Sequence, residues 1–132
     1  MTNIDQALLA RSRAYTPYSN FKVGAAILLK NGTYIHGANI ENASFGLTNC
    51  AERSALYSLY SQGYKKEDIV SITVIANDHG PVSPCGACRQ VMHELLPKNA
   101  KIILANLMGE TMETTPDQLL PYAFVLDEKP HE

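Results

Sequence analysis

Residues 21–40 read FKVGAAILLKNGTYIHGANI, two apolar-rich runs on either side of an Asn-Gly pair. Runs at 21–29 and 33–40 joined through Lys30-Asn31-Gly32 predict a β-hairpin, because glycine accepts the positive φ that such a tight connection requires. On its N-terminal side, residues 2–13 place Ile4, Ala7, Leu8 and Arg11 at helical spacing with Thr2 or Asn3 as N-cap, an amphipathic helix that ends before Pro17. On its C-terminal side, residues 50–60 repeat apolar positions at 51, 55, 56 and 59, a helix capped by Thr48 or Asn49 and ending near Gly63. Residues 70–76 form a short buried strand, 77–84 a loop, and 86–96 a second helix stopped by Pro97. Residues 101–105 read as another strand. A turn at Gly109-Glu110 leads into a last strand ending at Glu113, and Thr114, Thr115, Pro116 and Asp117 open a short helix that stops at Pro121. The polar tail from Asp127 is expected to be mobile. Strands alternating with helices after an opening hairpin predict an α/β fold: a three-layer α-β-α sandwich with a mixed central sheet of about five strands.

With 132 residues, the chain is read as one domain, 1–132, large enough to bury a core without staples. Hydrophobic residues make up 45% and charged residues 18%, the balance of a globular protein rather than a disordered one. The formal net charge is -2 and the longest basic run is Lys65-Lys66, so no nucleic-acid-binding surface is expected. No basic segment precedes an apolar one at the N-terminus and no stretch is long enough to span a bilayer, which predicts a cytoplasmic protein without a membrane partner. The sequons Asn31-Gly32-Thr33 and Asn42-Ala43-Ser44 are accordingly read as turn and site residues. Three cysteines are an odd number for a disulfide framework and suit metal ligation or nucleophilic chemistry in a reducing compartment.

The chemistry concentrates in Thr48-Asn49-Cys50-Ala51-Glu52-Arg53 and Pro84-Cys85-Gly86-Ala87-Cys88-Arg89-Gln90, each at the predicted start of a helix. Unpaired N–H groups and the positive end of the macrodipole favour the thiolate there. In Cys-x-x-Cys at a helix start, both sulfurs reach one ion. With Cys50 as third ligand, Cys85 and Cys88 leave one position open, the pattern of catalytic rather than structural zinc, and the open position suits a water whose pKa the metal lowers. Glu52 is not needed as a ligand and stands ready as the proton carrier. Three thiolates on Zn2+ leave a formal charge of -1, which Arg53 or Arg89 can offset, Arg53 being favoured. Taken alone, Cys85-Gly86-Ala87-Cys88 also fits a redox dithiol, but its late position and the company of Cys50 and Glu52 favour the metal. His36, His79, His93 and His131 share no metal-like spacing and are read as structural or surface residues. Cys-x-Glu followed by Pro-Cys-x-x-Cys is the zinc deaminase signature, in which the glutamate serves as acid and base.

Over nearly its whole length the sequence resembles the small homotetrameric, three-cysteine cytidine deaminases. The resemblance is carried by residues 18–25 (YSNFKVGA), 39–42 (NIEN), 50–53 (CAER) and 84–90 (PCGACRQ). It implies that Phe21 packs on the pyrimidine, that Asn39 and Glu41 bind the ribose hydroxyls, and that the Ala51 backbone reads the base. Glu52 would also contact N3 of the ring. It further implies one zinc per subunit, and a homotetramer in which Ala43, Phe45 and Phe124 complete neighbouring sites. Phe45 stands where many relatives carry Tyr, and residues 125–128 depart from the usual tail. The implied activity is hydrolytic deamination of cytidine and deoxycytidine in pyrimidine salvage. The competing readings are a deaminase of modified, blasticidin-type cytosine nucleosides, which the Asn39-to-Asn42 segment disfavours, and a non-catalytic module built around structural zinc.

Overall fold

The computed structural model describes residues 1–126; the tail from Asp127, with His131, lies outside them. The hairpin forms as β1 (Val23–Leu29) and β2 (Tyr34–Ala38). Gly32 alone takes the positive φ of the connection, at 85°. Asn31 serves differently: its side-chain oxygen accepts from the Thr33 amide at 2.9 Å, pinning the loop.

Helix α1 (Asn3–Arg11) is capped by Thr2, whose hydroxyl accepts from the Asp5 amide while the Asp5 carboxylate accepts from the Thr2 amide. Leu8, expected on the core face, is instead 38% exposed, and Ala7 and Ala10 are buried. The reason is Gly24 on β1. Its missing side chain lets the backbone of α1 at Ala7 and Arg11 come directly against the strand.

Helix α2 (Ala51–Ser61) begins one residue later than the spacing suggested, with Cys50 rather than Thr48 or Asn49 as its N-cap. Asn49 is unavailable because it exchanges two backbone hydrogen bonds, both 3.0 Å, with Ile40. The helix runs out at Gln62 and Gly63, the latter at φ 93°. β3 (Ile69–Ala76) leads through a loop to α3 (Gly86–Leu95), β4 (Lys101–Asn106), β5 (Thr111–Thr114) and α4 (Pro116–Leu119).

The five strands lie in the order β2-β1-β3-β4-β5. β1 is antiparallel to both neighbours, β3 and β4 are parallel, and β5 returns antiparallel, so the sheet is mixed. α1 covers one face over Ala26, Ile75 and Ala105. On the other face α2 and α3 bury Leu56, Leu59 and Met92 against Ile27, Ile72, Val74, Ile102 and Leu104. The three-layer expectation holds. β3 is buried on both faces over most of its length, which is why its sequence is a continuous apolar run rather than an alternation.

His36 ties the edge strand to α1. Its Nδ1 accepts from Arg13 at 3.2 Å, so Nε2 carries the hydrogen that Gln6 Oε1 accepts at 2.7 Å. Desolvation, and secondarily the Arg13 charge, lowers its pKa from the ordinary 6.5. A His whose cation is disfavoured on folding contributes stability above the unfolded pKa and loses it as pH falls toward the folded value. The His36 contribution is therefore expected to be constant above pH 6.5 and to be lost below it, so that His36→Gln makes the acid-side fall of the urea midpoint shallower. An acid-side slope unchanged in the variant would contradict this.

Candidate metal centre

The starts and ends of β1, β2 and β3 that meet at one edge of the sheet carry the site. In open α/β sheets this region, beyond the carboxyl ends of the strands, is where ligands settle. The reciprocal Ile40–Asn49 hydrogen bonds close the 41–48 loop and bring Cys50 back beside the end of β2. Cys85 follows β3 and caps α3, and Cys88 lies one turn inside that helix. The three cysteine sulfurs lie within 4.8 Å of one another, and Cys50 Sγ is 3.8 Å from Cys85 Sγ. Neither capping cysteine uses its sulfur for a helix cap.

This donor set fits zinc. Tetrahedral ligation at about 2.3 Å places sulfurs about 3.8 Å apart. Cys88 is buried, Cys50 half-buried and Cys85 exposed, so the cluster opens to one side. Among the described residues no fourth His, Cys, Asp or Glu joins the cluster, as a catalytic site with an open position requires.

The charges favour a thiolate at Cys50. Hydrogen bonding from the Cys88 thiol, with further help from Arg53 and Cys85, holds the Cys50 thiol below its ordinary pKa despite burial. Cys88, which gives that hydrogen bond and is itself buried, is pushed up. Arg53 Nη2 donates to Cys50 Sγ at 3.2 Å, while its Nε is buried with no partner. That orphaned donor beside the sulfurs suits a cluster more negative than free thiols, which a metal holding three thiolates provides. Glu52, at the second position of α2, is only 4% exposed, and burial is the main cause raising its carboxyl pKa, with the nearby Cys50 charge adding to it.

Arg89 does not share the role of Arg53. Its Nε donates to the Pro84 carbonyl at 2.8 Å, Nη1 to the Leu119 carbonyl at 2.9 Å and Nη2 to Ser83 Oγ at 2.6 Å. It thus braces the loop before Cys85 against α4 instead of reaching a sulfur. Asn39 is likewise engaged within the chain, its Oδ1 accepting from the Val23 amide at 2.9 Å and its Nδ2 donating to the Phe21 carbonyl at 2.7 Å. Glu41 accepts from the Tyr18 and Ser19 amides at 3.0 and 3.2 Å and from the Ser19 hydroxyl, whose hydrogen bond is the main cause holding its pKa low. Together they anchor residues 18–23, where Asn20 adopts a φ of 57°, and leave Phe21 39% exposed.

Ala43 and Phe45 stand on the 41–48 loop facing solvent, and Phe45 packs edge-on against Tyr18 with centroids 6.1 Å apart. Phe124 is 70% exposed; its carbonyl accepts from Gln90 at 3.0 Å. It lines a groove of about 850 Å³ with His93, Asp117 and Tyr122, and none of the three cysteines lines that groove. Ser19, Tyr18 and Gln90 are the contributors that the residue types alone do not single out. Each acts through a partner at least 22 positions away, or, for Tyr18, through an exposed ring.

The family model for the cytidine and deoxycytidylate deaminase zinc-binding region matches residues 2–104. The chain belongs to the cytidine and deoxycytidylate deaminase family. The cytidine deaminase of Halalkalibacterium halodurans is 56% identical over 125 residues, covering 95% of this chain and 93% of that one. The cytidine deaminase of Sporosarcina psychrophila is 48% identical over 121 residues, covering 92% and 88%. The crystal structure of cytidine deaminase from Burkholderia pseudomallei matches with a TM-score of 0.90 at 50% identity, covering 94% of this chain and all of that one. The deaminase zinc-binding region takes in all three cysteines and both arginines, whereas Phe124 lies beyond its matched span. Among the described residues no helix is long and apolar enough to cross a membrane.

The different engagements of the two arginines separate in a chelator competition. Arg53→Gln is expected to weaken zinc binding by about 10- to 100-fold, as losing a partner of a ligand usually does. Arg89→Gln should leave the affinity close to wild type and lower Tm instead. Equal losses of affinity would refute the division.

Proposed function

We propose that this chain hydrolyses cytidine, and deoxycytidine, to uridine or deoxyuridine and ammonia, using one zinc per subunit. The observation that carries the reading is the buried carboxyl of Glu52, two residues after Cys50 of a three-sulfur cluster that has an open side. Cys50, Cys85 and Cys88 would hold the metal. When bound, zinc supplies the Lewis acidity that brings the pKa of water from 15.7 to about 7.

The chain's own residues manage protons and position. Glu52 takes a proton from the attacking water and delivers it to ring N3 as the oxygen adds at C4. It then carries the remaining hydroxyl proton to the 4-amino group, which leaves as ammonia while the C4 carbonyl forms. The raised pKa of Glu52 suits a group that must both accept and donate near neutrality. Phe21 offers an apolar face to the pyrimidine, the Ala51 backbone reads its edge, and Asn39 and Glu41 bind the ribose with the lone pairs and hydrogens that their internal bonds leave free.

The assembly we propose is a homotetramer in which Ala43, Phe45 and Phe124 close the sites of neighbouring copies. Support comes from the exposure of Phe45 and Phe124 in the single chain, since large aromatic side chains left in water commonly mark contact surfaces. We place the activity in cytoplasmic pyrimidine salvage, with a nucleoside rather than a polynucleotide as substrate, in keeping with the net charge of -2.

The test is ammonia release from cytidine by the zinc-loaded protein, with a blasticidin-type nucleoside in parallel. Release from cytidine is the expected result; release from the modified nucleoside alone would reassign the substrate, and release from neither would leave a structural metal. Glu52→Gln should retain zinc and lose about 10²- to 10⁴-fold in turnover. Full turnover in that variant would remove Glu52 from the mechanism.

A further inference from the structure

Two glycines in the hairpin have no room for even a methyl group. A Cβ built on Gly24 would stand 2.2 Å from the Ala7 carbonyl oxygen and 2.4 Å from the Arg11 nitrogen. One built on Gly37 would stand 2.3 Å from the Ala55 nitrogen and 2.4 Å from the Ala51 carbonyl oxygen. The obstructing atoms are backbone, so no side-chain rotation relieves either contact. A helix or a strand must move.

The two contacts are alike in crowding and differ in what the helix carries. Gly24 seats α1, which bears none of the proposed reacting groups. Gly37 seats the first turn of α2, where Ala51 follows the ligand Cys50 and precedes Glu52. Two residues further on, just past the end of β2, comes Asn39, whose amide grips the Phe21 carbonyl and the Val23 amide. One short stretch of chain therefore touches the metal-bearing turn at Gly37 and fixes the ring-bearing segment at Asn39.

We propose that Gly37 is a positioning residue for the reaction: its missing side chain sets how closely Cys50, Ala51 and Glu52 approach the Phe21–Asn39 side of the site. With alanine there, the first turn of α2 and β2 must separate by about 1 Å to reach ordinary contact at 3.4 Å. β2 is an edge strand with a neighbour on one side only, so either partner yielding changes the same spacing. A misplacement of that size is enough to cost about 100-fold in rate. The kinetic part of this inference rests on the deaminase reading; the geometric part rests on the cysteines alone.

The experiment compares wild type, Gly24→Ala and Gly37→Ala, each loaded with Co2+ in place of zinc for its thiolate-sensitive visible spectrum and with zinc for kinetics on cytidine. Both variants should lower Tm. Gly24→Ala is expected to keep the wild-type cobalt bands and a kcat within about threefold, whereas Gly37→Ala shifts the bands and lowers kcat by about 10- to 100-fold. Unchanged bands in Gly37→Ala, or the same shift in both variants, would overturn the proposal. Should Gly37→Ala not fold, Ala55→Ser thickens the same contact from the helix side and must reproduce the band shift; wild-type bands there would overturn it equally. If the wild type proves inactive on cytidine, the deaminase reading fails, and the cobalt bands alone then decide the role of Gly37.

Discussion

Three sulfurs within 4.8 Å of one another become, once they are thiolates, a concentration of negative charge that a protein interior resists, and much of the surrounding architecture answers that resistance. Two helices begin at the cluster, so their unpaired N–H groups and positive ends face it. Arg53 lies three residues after Cys50, near enough to donate to its sulfur within the same helical turn. The sheet contributes by ending β2 and β3 at a common edge, which lets two separate loops deliver a helix start to one place. Neither helix has a spare polar cap to stabilise its start, because the capping position is occupied by a cysteine in each. The sulfur cluster and the helix ends are thus a single electrostatic arrangement.

A second layer holds the first without touching sulfur. Arg89 ties Pro84 and Ser83 to Leu119, so the loop entering α3 is referenced to α4. Asn39 and Glu41 reference residues 18–23 to the end of β2 by hydrogen bonds to backbone groups. Polar residues in connecting segments often look dispensable in a sequence, since loops rarely repeat a pattern. Here their donors and acceptors are consumed in fixing where the segment carrying Phe21 and the loop that enters α3 stand.

What the sequence made legible follows from how local each cause is. The hairpin, the two helices opening at cysteines, the buried third strand and the convergence of three cysteines were all readable, since turn chemistry, periodicity and cysteine spacing are local signals. The exposure of Leu8 was not, because it depends on Gly24, in a strand distant in sequence, lying directly against Ala7. The start of α2 at Cys50 depended on the distant partner of Asn49. Arg53 and Arg89 follow their N-cap cysteines by three and four residues, and it takes the positions of Ser83 and Leu119 to show which guanidinium faces sulfur and which is held elsewhere. The contributions of Ala43, Phe45 and Phe124 would arise between copies, beyond what one chain's packing specifies.

Cys50 and Cys85 are 35 positions apart yet 3.8 Å from sulfur to sulfur. An ion shared between them would act as a cross-link, closing that length of chain as a disulfide closes a loop. By the same loop-entropy reasoning, a closure of this size disfavours the unfolded ensemble by about 4 kcal/mol, a sizeable share of the stability of a small domain. The cofactor would then be a chain staple as well as a reagent, and the protein's resistance to unfolding would track the metal supply of its surroundings.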